Sequence, residues 1–299
     1  MRIGVIGLGN IGGGIAANLV ADGHEIVVHD LDEQRAVAIE GASAADGPAA
    51  VGRASEVTFM SLPTPDIVDG AAAAWSAGAG AGSILVELST NDPARIRALG
   101  STLAAADQHL VEAPLTGGAR GASERLLVFM VGGDDAPVAR VVPVLESLGR
   151  ATFHLGPLGA GNTMKLVNSL VAFSATWSSL EGLSLAAKAG IGLPDAVEVI
   201  RTAGAGNFWI DRMAESVDVR DRPTRFAIEL AAKDAALVVS TGEELGVATP
   251  VAQALTDLLD RAVTDGFGDR DWSALVEVAE AAAGVELRWA TAGPSSGGA

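Results

Sequence analysis

Cysteine, tyrosine and histidine are absent or scarce in this chain of 299 residues, and each absence excludes a class of site. Without cysteine there are no disulfide bonds and no thiolate zinc site. Without tyrosine the chain cannot use the tyrosine acid of the short-chain dehydrogenases. The four histidines all precede residue 155, so we expect no histidine base in the C-terminal half. Nor do we expect a metal site, because no histidines are closely clustered.

Positive charge is also scarce, because 20 Lys and Arg residues stand against 37 Asp and Glu residues, for a net charge of −17. Such a chain repels nucleic acid and anionic membranes, so we expect neither as a partner. A site for an anionic substrate must then supply its own positive potential. Long apolar runs are missing too, since the least polar stretch, residues 68–86, is rich in Ala and Gly and includes Asp69. We expect a cytoplasmic protein.

Short apolar runs alternate with helix-like segments up to about residue 155, at the spacing of β-α-β units. The predicted strands are 3–6, 25–29, 57–62, 83–87, 110–111, 126–131 and 152–155. The predicted helices are 11–21, 32–39, 66–75, 93–106 and 136–148. This pattern predicts an α/β N-terminal domain with a mainly parallel sheet over residues 1–161.

The pattern changes beyond Gly161, where apolar residues recur at helical spacing and strand-like runs end. The predicted helices are 162–189, 194–201, 224–243, 250–262 and 272–282. We therefore expect an all-α C-terminal domain over residues 162–290. The small, polar segment 291–299 is predicted to be a disordered tail.

A glycine-rich turn, Gly7-Leu8-Gly9-Asn10-Ile11-Gly12, joins the first predicted strand to the first predicted helix. In that context Gly7 permits a tight turn, Gly9 lets the backbone approach a pyrophosphate, and Gly12 lets the helix pack on the strand. The N–H groups at the start of the helix favour phosphate groups. The alternative is a glycine-rich turn that binds nothing. The context favours a Rossmann-like dinucleotide-binding domain.

Asp30 follows the second predicted strand, about 20 residues beyond the second glycine of the turn. A carboxylate there accepts hydrogen bonds from the adenosine ribose and repels a 2′-phosphate, which favours NAD over NADP. Leu31 belongs to the same cofactor-binding segment. Two alternatives stay open. Asp30 could instead cap the next helix, a position for which Asp32 competes, and Arg35 would suit the 2′-phosphate of NADP.

Two further segments carry polar groups suited to a substrate. Adjacent glycines at Gly117 and Gly118, with the Thr116 hydroxyl, can form a concavity of N–H groups that suits a carboxylate. An ordinary surface loop is the alternative. Lys165, Asn168 and Ser169 share one face of the long predicted helix, where a partly desolvated lysine could transfer a proton. A solvated lysine is the alternative there.

Four segments together resemble the β-hydroxyacid dehydrogenase family, which includes 3-hydroxyisobutyrate dehydrogenase, tartronate semialdehyde reductase and, more distantly, 6-phosphogluconate dehydrogenase. The family pattern GLGxMGxxMAxNL resembles GLGNIGGGIAANL, DAPVSGGxxGA resembles EAPLTGGARGA, and GxGxxxKxxNN resembles GAGNTMKLVNS. The fourth is the step Lys233-Asp234, which alone would favour an exposed charge pair on a helix. The four matches keep the family's order and spacing.

The resemblance implies a role for single residues. Lys165 resembles the family's catalytic lysine, and Asn168 accompanies it. The residues matched to the substrate side are Thr116, Gly117, Gly118, Ser169, Phe226 and Asp234. Those matched to the cofactor side are Leu62, Pro63, Thr90 and Lys233, in addition to the glycine-rich turn, Asp30 and Leu31. The helical domain is then expected to serve the substrate and dimerisation, in a homodimer or homotetramer.

The function implied is NAD-dependent interconversion of a small anionic 3-hydroxy acid and its semialdehyde, with Lys165 as general acid and base. Ser169 stands where the family has its second asparagine, and its shorter side chain can both donate and accept a hydrogen bond at the substrate hydroxyl. Arg120 and Arg125 are interpreted as surface charges rather than substrate ligands. An imine reductase on the same scaffold is one alternative, although the retained Lys165 disfavours it. A non-catalytic dinucleotide-binding module is the other.

Overall fold

The computed structural model describes residues 1–220 and 222–289, which form two compact units. The first unit is Met1–Val167, and the second begins at Asn168. Their boundary falls inside one long helix, Ala160–Lys188. The first turns of this helix belong to the first unit because their N–H groups are hydrogen-bonded there.

A six-stranded parallel sheet forms the centre of the first unit. Its strands are β1 (Arg2–Ile6), β2 (Glu25–His29), β3 (Ala42–Ala44), β4 (Val57–Met60), β5 (Ile84–Glu87) and β6 (His109–Glu112). They are arranged in the order β3-β2-β1-β4-β5-β6, so the order in which the chain adds strands reverses between β1 and β4 at the centre of the sheet. In this topology ligands bind at the carboxyl ends of the strands, next to that reversal.

Helices cover both faces of this sheet, and all but the first begin at a capping side chain or a proline. They are α1 (Gly12–Ala21), α2 (Glu33–Val37), α3 (Pro48–Ala54), α4 (Pro65–Gly78) and α5 (Pro93–Ala104). At the start of α5 the Asp92 side chain accepts from the Ala94 N–H at 2.7 Å, and Pro93 occupies the first turn. These signals explain why the predicted helices of this unit lie close to the observed ones.

A second, three-stranded sheet follows in the first unit. It contains β7 (Leu115–Thr116), β8 (Leu127–Val131) and β9 (Gly149–His154), with α6 (Gly118–Ser123) and α7 (Asp135–Leu148) between them. An antiparallel bridge between Glu112 and Gly132 joins the two sheets, with N···O distances of 3.0 and 2.9 Å. The bridge places the end of β6 beside the end of β8.

Trp75 is the largest fully buried side chain of the first unit. It lies on α4, and its indole Nε1 donates to Thr58 Oγ1 on β4 at 2.8 Å. Thr58 Oγ1 in turn lies 2.7 Å from Ser55 Oγ, which donates to the Val51 carbonyl. This polar chain is satisfied inside an apolar cluster, so it fixes α3 and α4 on the sheet at little desolvation cost.

Four short elements of the first unit were not predicted: β3, α3, β7 and α6. The α6 segment was expected to be a loop. It is helical because it packs on α1, where an added Cβ at Gly14 would lie 3.0 Å from Ala122 and where Asn18 Nδ2 donates to the Ala122 carbonyl at 2.7 Å. Tertiary packing, and not local propensity, forms this helix.

Within the described residues of the second unit the regular elements are helices, as expected. After the long helix α8 (Ala160–Lys188) come α9 (Leu193–Thr202), α10 (Phe208–Ala214), α11 (Ile228–Leu245), α12 (Pro250–Ala262), a π-helical turn (Val263–Phe267), a 3₁₀ turn (Trp272–Ala274) and α13 (Leu275–Ala283). Helix α10 was not predicted. It begins at Asn207, whose side chain accepts from the N–H groups of Trp209 and Ile210 at 2.9 and 3.0 Å.

The start of the helix predicted at 224–243 was wrong, because α11 begins at Ile228. Before that point the N–H groups of Arg225 and Phe226 donate to the Asp271 carboxylate at 2.9 and 3.3 Å, so these two residues are held in a bend ahead of the helix. Phe226 therefore precedes the helix. The predicted tail at 291–299 lies outside the described residues. Of the helices in the described part, none is both long and apolar enough to cross a membrane.

Candidate active site

The glycine-rich turn after β1 is built on two close backbone approaches. A Cβ at Gly7, whose φ is +86°, would lie 2.2 Å from the Ser61 carbonyl oxygen, and one at Gly12 would lie 1.8 Å from the Gly7 carbonyl oxygen. Gly9 is not closely packed: the nearest atom to a Cβ added there would be Arg35 Nη1, 4.0 Å away. Two glycines thus permit the turn, while the middle one leaves its face open to a ligand.

The N-terminus of α1 suits an anion. Ile11, the residue at the cap position, makes no side-chain capping bond, and the first turn of the helix contains no acidic side chain. The first N–H groups of a helix lack intrahelical partners and lie at the positive end of its dipole. A pyrophosphate fits this end and the open face of Gly9.

The turn also provides a paired test of close packing. Gly12→Ala is expected to lower the free energy of unfolding by about 1–3 kcal/mol, because its Cβ would overlap the Gly7 carbonyl. Gly70→Ala, inside α4 with nothing within 4 Å, is expected to raise it by about 0.5–1 kcal/mol. Urea unfolding measures both. Equal stability of the two variants would contradict the close approach at Gly12.

Asp30 lies at the end of β2 with its side chain 12% exposed. One carboxylate oxygen accepts from the Leu8 N–H at 2.6 Å, the other accepts from the Asp32 N–H at 2.9 Å, and Arg35 Nη1 lies 3.9 Å away. The cap of α2 is Asp32, which accepts from the Gln34 N–H at 3.1 Å. Asp30 is therefore bonded to the glycine-rich turn, whereas Leu31 is 93% exposed.

Two loops at the ends of β4 and β5 lie against this turn. The Leu62 N–H donates to Ser89 Oγ at 2.9 Å, and Leu62 Cδ2 would lie 2.9 Å from a Cβ at Gly7. Ser89 N–H donates in turn to the buried Glu87 carboxylate at 2.7 Å. Pro63 and Thr90 are the next residues along these two loops. The structure thus brings the loops that contain Leu62, Pro63 and Thr90 together with the glycine-rich turn at the carboxyl ends of the strands. Lys233, also matched to the cofactor side, lies on α11 in the second unit.

The Thr116 loop forms the turn between β7 and α6. Gly117 has φ +127° and Gly118 has φ +63°, conformations that favour glycine, and α6 begins at Gly118 without a side-chain cap. A Cβ at Gly118 would meet nothing within 4 Å, so this side of the loop is open. The loop therefore presents backbone N–H groups and the half-buried Thr116 side chain beside open space.

The two arginines after this loop are engaged within the protein. Arg120 Nε donates to both carboxylate oxygens of Glu124, at 3.0 and 2.9 Å. Arg125 forms a bidentate pair with Asp22 at 2.8 Å and also donates to the carbonyls of Ser147 and Asn18. The hydrogen bond from Arg125 lowers the pKa of Asp22 below its ordinary value. Arg125 therefore links the C-terminal end of α1 to α7 through hydrogen bonds and an ion pair, and it is not only a surface charge.

Lys165 lies in the second turn of α8 and is half-buried. Asn168, also half-buried, and Ser169, which is 2% exposed, follow on the same face of the helix. A buried serine leaves more space than the asparagine of the family pattern. The face is polar within a mostly apolar helix and provides an amine, an amide and a hydroxyl.

Glu112 is a buried residue to which the sequence pattern assigned no role. It ends β6 with no exposed surface, and its carboxylate accepts four hydrogen bonds from the first turn of α8. Burial raises the pKa of Glu112, although the bonds from Asn162, Gly161 and Gly159 act in the opposite direction. In the sequence, the only indication of a role for Glu112 is its position as a charged residue directly after an apolar run.

In the second unit, Lys233 and Asp234 form an ion pair on α11, with Nζ 3.1 Å from Oδ1. Asp234 is 2% exposed, so the pair is not the exposed charge pair typical of helices. The Phe226 ring packs with those of Phe173 and Trp272, at centroid distances of 6.3 and 6.2 Å. Among the described residues no group of three or more His, Asp or Glu side chains is arranged to hold a metal ion.

The topology and the glycine-rich turn define the class: the first unit is a Rossmann-type NAD(P)-binding domain, and the chain is an oxidoreductase. A family model of the NAD-binding domain of 6-phosphogluconate dehydrogenase matches residues 2–156. A second, described as the NAD-binding of NADP-dependent 3-hydroxyisobutyrate dehydrogenase, matches residues 159–279. With both models matching in this order, the chain belongs to the β-hydroxyacid dehydrogenase family.

Individual similar proteins support the same family assignment. The 2-(hydroxymethyl)glutarate dehydrogenase of Eubacterium barkeri is 31% identical over 294 residues, which cover 96% of this chain and 97% of the relative. The structure of Mycobacterium tuberculosis 3-hydroxyisobutyrate dehydrogenase with L-serine has a TM-score of 0.84 at 27% identity and covers 93% of this chain and 98% of its own. A Streptomyces aurantiacus imine reductase shares the fold, with a TM-score of 0.62 at 24% identity, covering 93% and 99% of the two chains.

Proposed function

We propose that the protein is an NAD-dependent oxidoreductase that interconverts a small 3-hydroxy acid and its semialdehyde. The observation that carries this proposal is the placement of Lys165 one turn beyond a helix start that is bonded to the Thr90 loop. Asn162, in the first turn of α8, accepts from the Asn91 N–H at 2.8 Å, and Asn91 directly follows Thr90. A proton-transferring amine and a loop of the cofactor side are thereby held in one rigid frame.

In the proposed reaction NAD, when bound, accepts a hydride from the carbinol carbon of the hydroxy acid. Lys165 Nζ takes the hydroxyl proton during oxidation and returns it during reduction. Asn168 and Ser169 orient either the Lys165 amine or the substrate oxygen. Proton transfer by a positioned group contributes about 10²–10⁴-fold to such reactions.

The Thr116 loop is proposed to hold the substrate carboxylate. Its open side and its two positive-φ glycines suit an approach of carboxylate oxygens to backbone N–H groups. The chain has a net charge of −17, so this local arrangement of donors must offset a repulsive overall field. Fixing the carboxylate also fixes which carbon faces the nicotinamide.

Asp30 is the basis for proposing NAD in preference to NADP. Its two oxygens lie at the end of β2 beside the glycine-rich turn, where the ribose hydroxyls of a dinucleotide are bound in this fold. Arg35 lies within 4 Å of two carboxylates, Asp30 and Asp32. These two carboxylates largely neutralise the positive charge that Arg35 would otherwise offer to the 2′-phosphate of NADP.

The names of the relatives indicate a substrate class. 2-(Hydroxymethyl)glutarate, 3-hydroxyisobutyrate and L-serine all contain a primary hydroxyl on the carbon next to the one that bears the carboxylate. They differ in the substituent on that middle carbon. We propose that this chain acts on the same class, and that the shorter Ser169 side chain leaves room for a substituent larger than methyl.

The test is an initial-rate scan of 3-hydroxy acids with NAD and with NADP, following the absorbance of the reduced nicotinamide. The panel contains 3-hydroxyisobutyrate, 3-hydroxypropionate, glycerate, serine, threonate, 2-(hydroxymethyl)glutarate and sulfonate analogues, with Lys165→Ala as the blank. A signal with NAD that depends on Lys165 supports the proposal. Silence across the panel despite NAD binding, together with reduction of cyclic imines, would replace it by the imine reductase alternative. Silence with both substrate classes would favour a binding module.

Exposed apolar side chains on α8 are relevant to the oligomeric state of the protein. Met164, Val167 and Val171 lie on one side of this helix by their spacing and are 41%, 47% and 64% exposed. Apolar side chains grouped in this way are typical of a surface covered by a partner. We propose a homodimer, or a homotetramer built from it.

A further inference from the structure

The Glu112 carboxylate is held entirely by the start of α8. Oε1 accepts from the N–H groups of Gly159 and Gly161, the latter at 3.0 Å. Oε2 accepts from the Asn162 N–H at 3.0 Å and from Asn162 Nδ2 at 2.7 Å. Three of these donors are backbone N–H groups at the helix start, where a negative charge is also favoured by the helix dipole. The carboxylate therefore fixes where α8 begins.

Three glycines make the space for this carboxylate. A Cβ at Gly132 would lie 2.2 Å from Glu112 Oε1, and one at Gly161 would lie 2.4 Å from the Met130 carbonyl oxygen and 3.2 Å from Glu112 Cδ. Gly159 has φ +98°, which glycine alone adopts readily. The Gly-x-Gly pattern that precedes Lys165 is thus explained by contact with a carboxylate of the protein itself.

Asn162 extends the contact to a third segment. Its Nδ2 donates to Glu112, while its Oδ1 accepts from the Asn91 N–H at 2.8 Å. Asn162 has no exposed surface and Asn91 is 1% exposed, so both bonds are shielded from water. We call Glu112, Asn162, Asn91 and the two glycine N–H groups the Glu112 network.

The Glu112 network joins the three segments on which the proposed reaction depends. Asn91 follows Thr90 on the cofactor side, and Glu112 precedes by four residues the Thr116 loop proposed to bind the carboxylate. Asn162 lies three residues before Lys165 on α8, so the two lie on the same side of the helix. A displacement at this network would move the amine relative to both other segments.

We infer that Glu112 and Asn162 are positioning residues that set the distance from Lys165 to the substrate, an inference that rests on the proposed function. Neither touches the substrate in this role; both act through α8. A misplacement of about 1 Å in a reacting group can lower a rate about 100-fold. The network meets the cofactor side only beside Thr90, whereas the glycine-rich turn and Asp30 lie outside it, so we expect the Kd for NAD to change much less than kcat when the network is altered.

The experiment compares wild type, Asn162→Ala and Glu112→Gln on the best substrate of the panel. Asn162→Ala is the milder change, because Glu112 keeps its three backbone donors. In Glu112→Gln an NH₂ group must face N–H donors. We expect kcat to fall about 10-fold in Asn162→Ala and about 100-fold in Glu112→Gln, with the Kd for NAD changed less than about threefold. The number of NAD sites per chain should stay the same.

An isotope measurement separates positioning from damage to the fold. With substrate deuterated at the carbinol carbon, the isotope effect on kcat should rise in both variants, because hydride transfer becomes slower relative to the other steps. A smaller fraction of folded enzyme would lower kcat and leave the isotope effect unchanged. Val51→Ala, a fully buried change in α3 outside the network, is the matched control and should lower the melting temperature while leaving the isotope effect at the wild-type value.

Two results would overturn the inference in different ways. If wild type oxidises a hydroxy acid but Asn162→Ala and Glu112→Gln keep its kcat and isotope effect, the positioning role is wrong and the proposed function stands. If wild type oxidises no member of the panel, the proposed function fails and the role inferred from it fails with it.

Discussion

Replacing Lys165 with alanine is expected to lower kcat about 10³-fold, while the Kd for NAD stays within about threefold of the wild-type value. The amine is the only proton-transferring group of the polar face formed with Asn168 and Ser169, since an amide and a serine hydroxyl do not take a proton at neutral pH. The cofactor-side segments lie on other elements, at the ends of β1, β2, β4 and β5. Stopped-flow oxidation and fluorescence titration with NAD measure the two quantities.

Two variants control the Lys165 result. Lys165→Arg keeps a positive charge, but a guanidinium does not release its proton, so turnover should be lost as in the alanine variant. Lys188→Ala removes a lysine from the other end of the same helix, where Nζ donates to the carbonyls of Ala283 and Gly284, and should keep turnover. Near-normal turnover of Lys165→Ala would remove this residue from the mechanism.

Replacing Asp30 with alanine is expected to change the ratio of kcat/KM for NAD to that for NADP by at least about 100-fold in favour of NADP. Loss of charge-assisted hydrogen bonds to the ribose costs about 1.5–3 kcal/mol, which is about 10- to 100-fold for NAD. NADP gains at the same time, because Arg35, now 3.9 Å from Asp30, becomes available to a 2′-phosphate. Initial rates with both cofactors at saturating hydroxy acid give the ratio.

The Asp30 effect can be separated from a general change of charge. Asp32→Asn removes one negative charge from the same loop, keeps a side chain that can cap α2, and should shift the ratio by less than about threefold. Adding Arg35→Gln to Asp30→Ala should abolish the gain with NADP. Asp30→Asn keeps an acceptor for the Leu8 N–H, so it tests whether the shift depends on the shape of the turn. An unchanged ratio in both Asp30→Ala and Asp30→Asn would contradict the ribose contact.

Local sequence signals predicted most of the fold because the signals and the elements coincide. Strands β1, β4 and β5 are mostly apolar, buried runs in the middle of a sheet, and α4 and α5 begin with proline after a capping side chain. Among the missed elements, α3 begins with Pro48 and α10 follows the capping residue Asn207, but both helices are only seven residues long. Strand β3 is Ala-Ser-Ala, which has little β propensity and exists because β2 pairs with it.

The candidate site was predictable to the same extent. Asp30, the glycine-rich turn and Lys165 lie in short motifs whose spacing can be recognised along the chain. The Glu112 network could not be predicted in this way, because its carboxylate and its donors are 47 to 50 residues apart and meet only in the folded chain. The same holds for Arg125, which reaches Asp22 across 103 residues.

Trp75 is an intrinsic fluorescent label of the first unit. The chain has five tryptophans and no tyrosine, and the other four, Trp177, Trp209, Trp272 and Trp289, all belong to the second unit. The fluorescence difference between wild type and Trp75→Phe therefore reports the Rossmann-type unit alone, and the emission of Trp75→Phe reports the helical unit alone. Unfolding followed in these two signals shows whether a helix that runs through both units makes them melt together or one after the other.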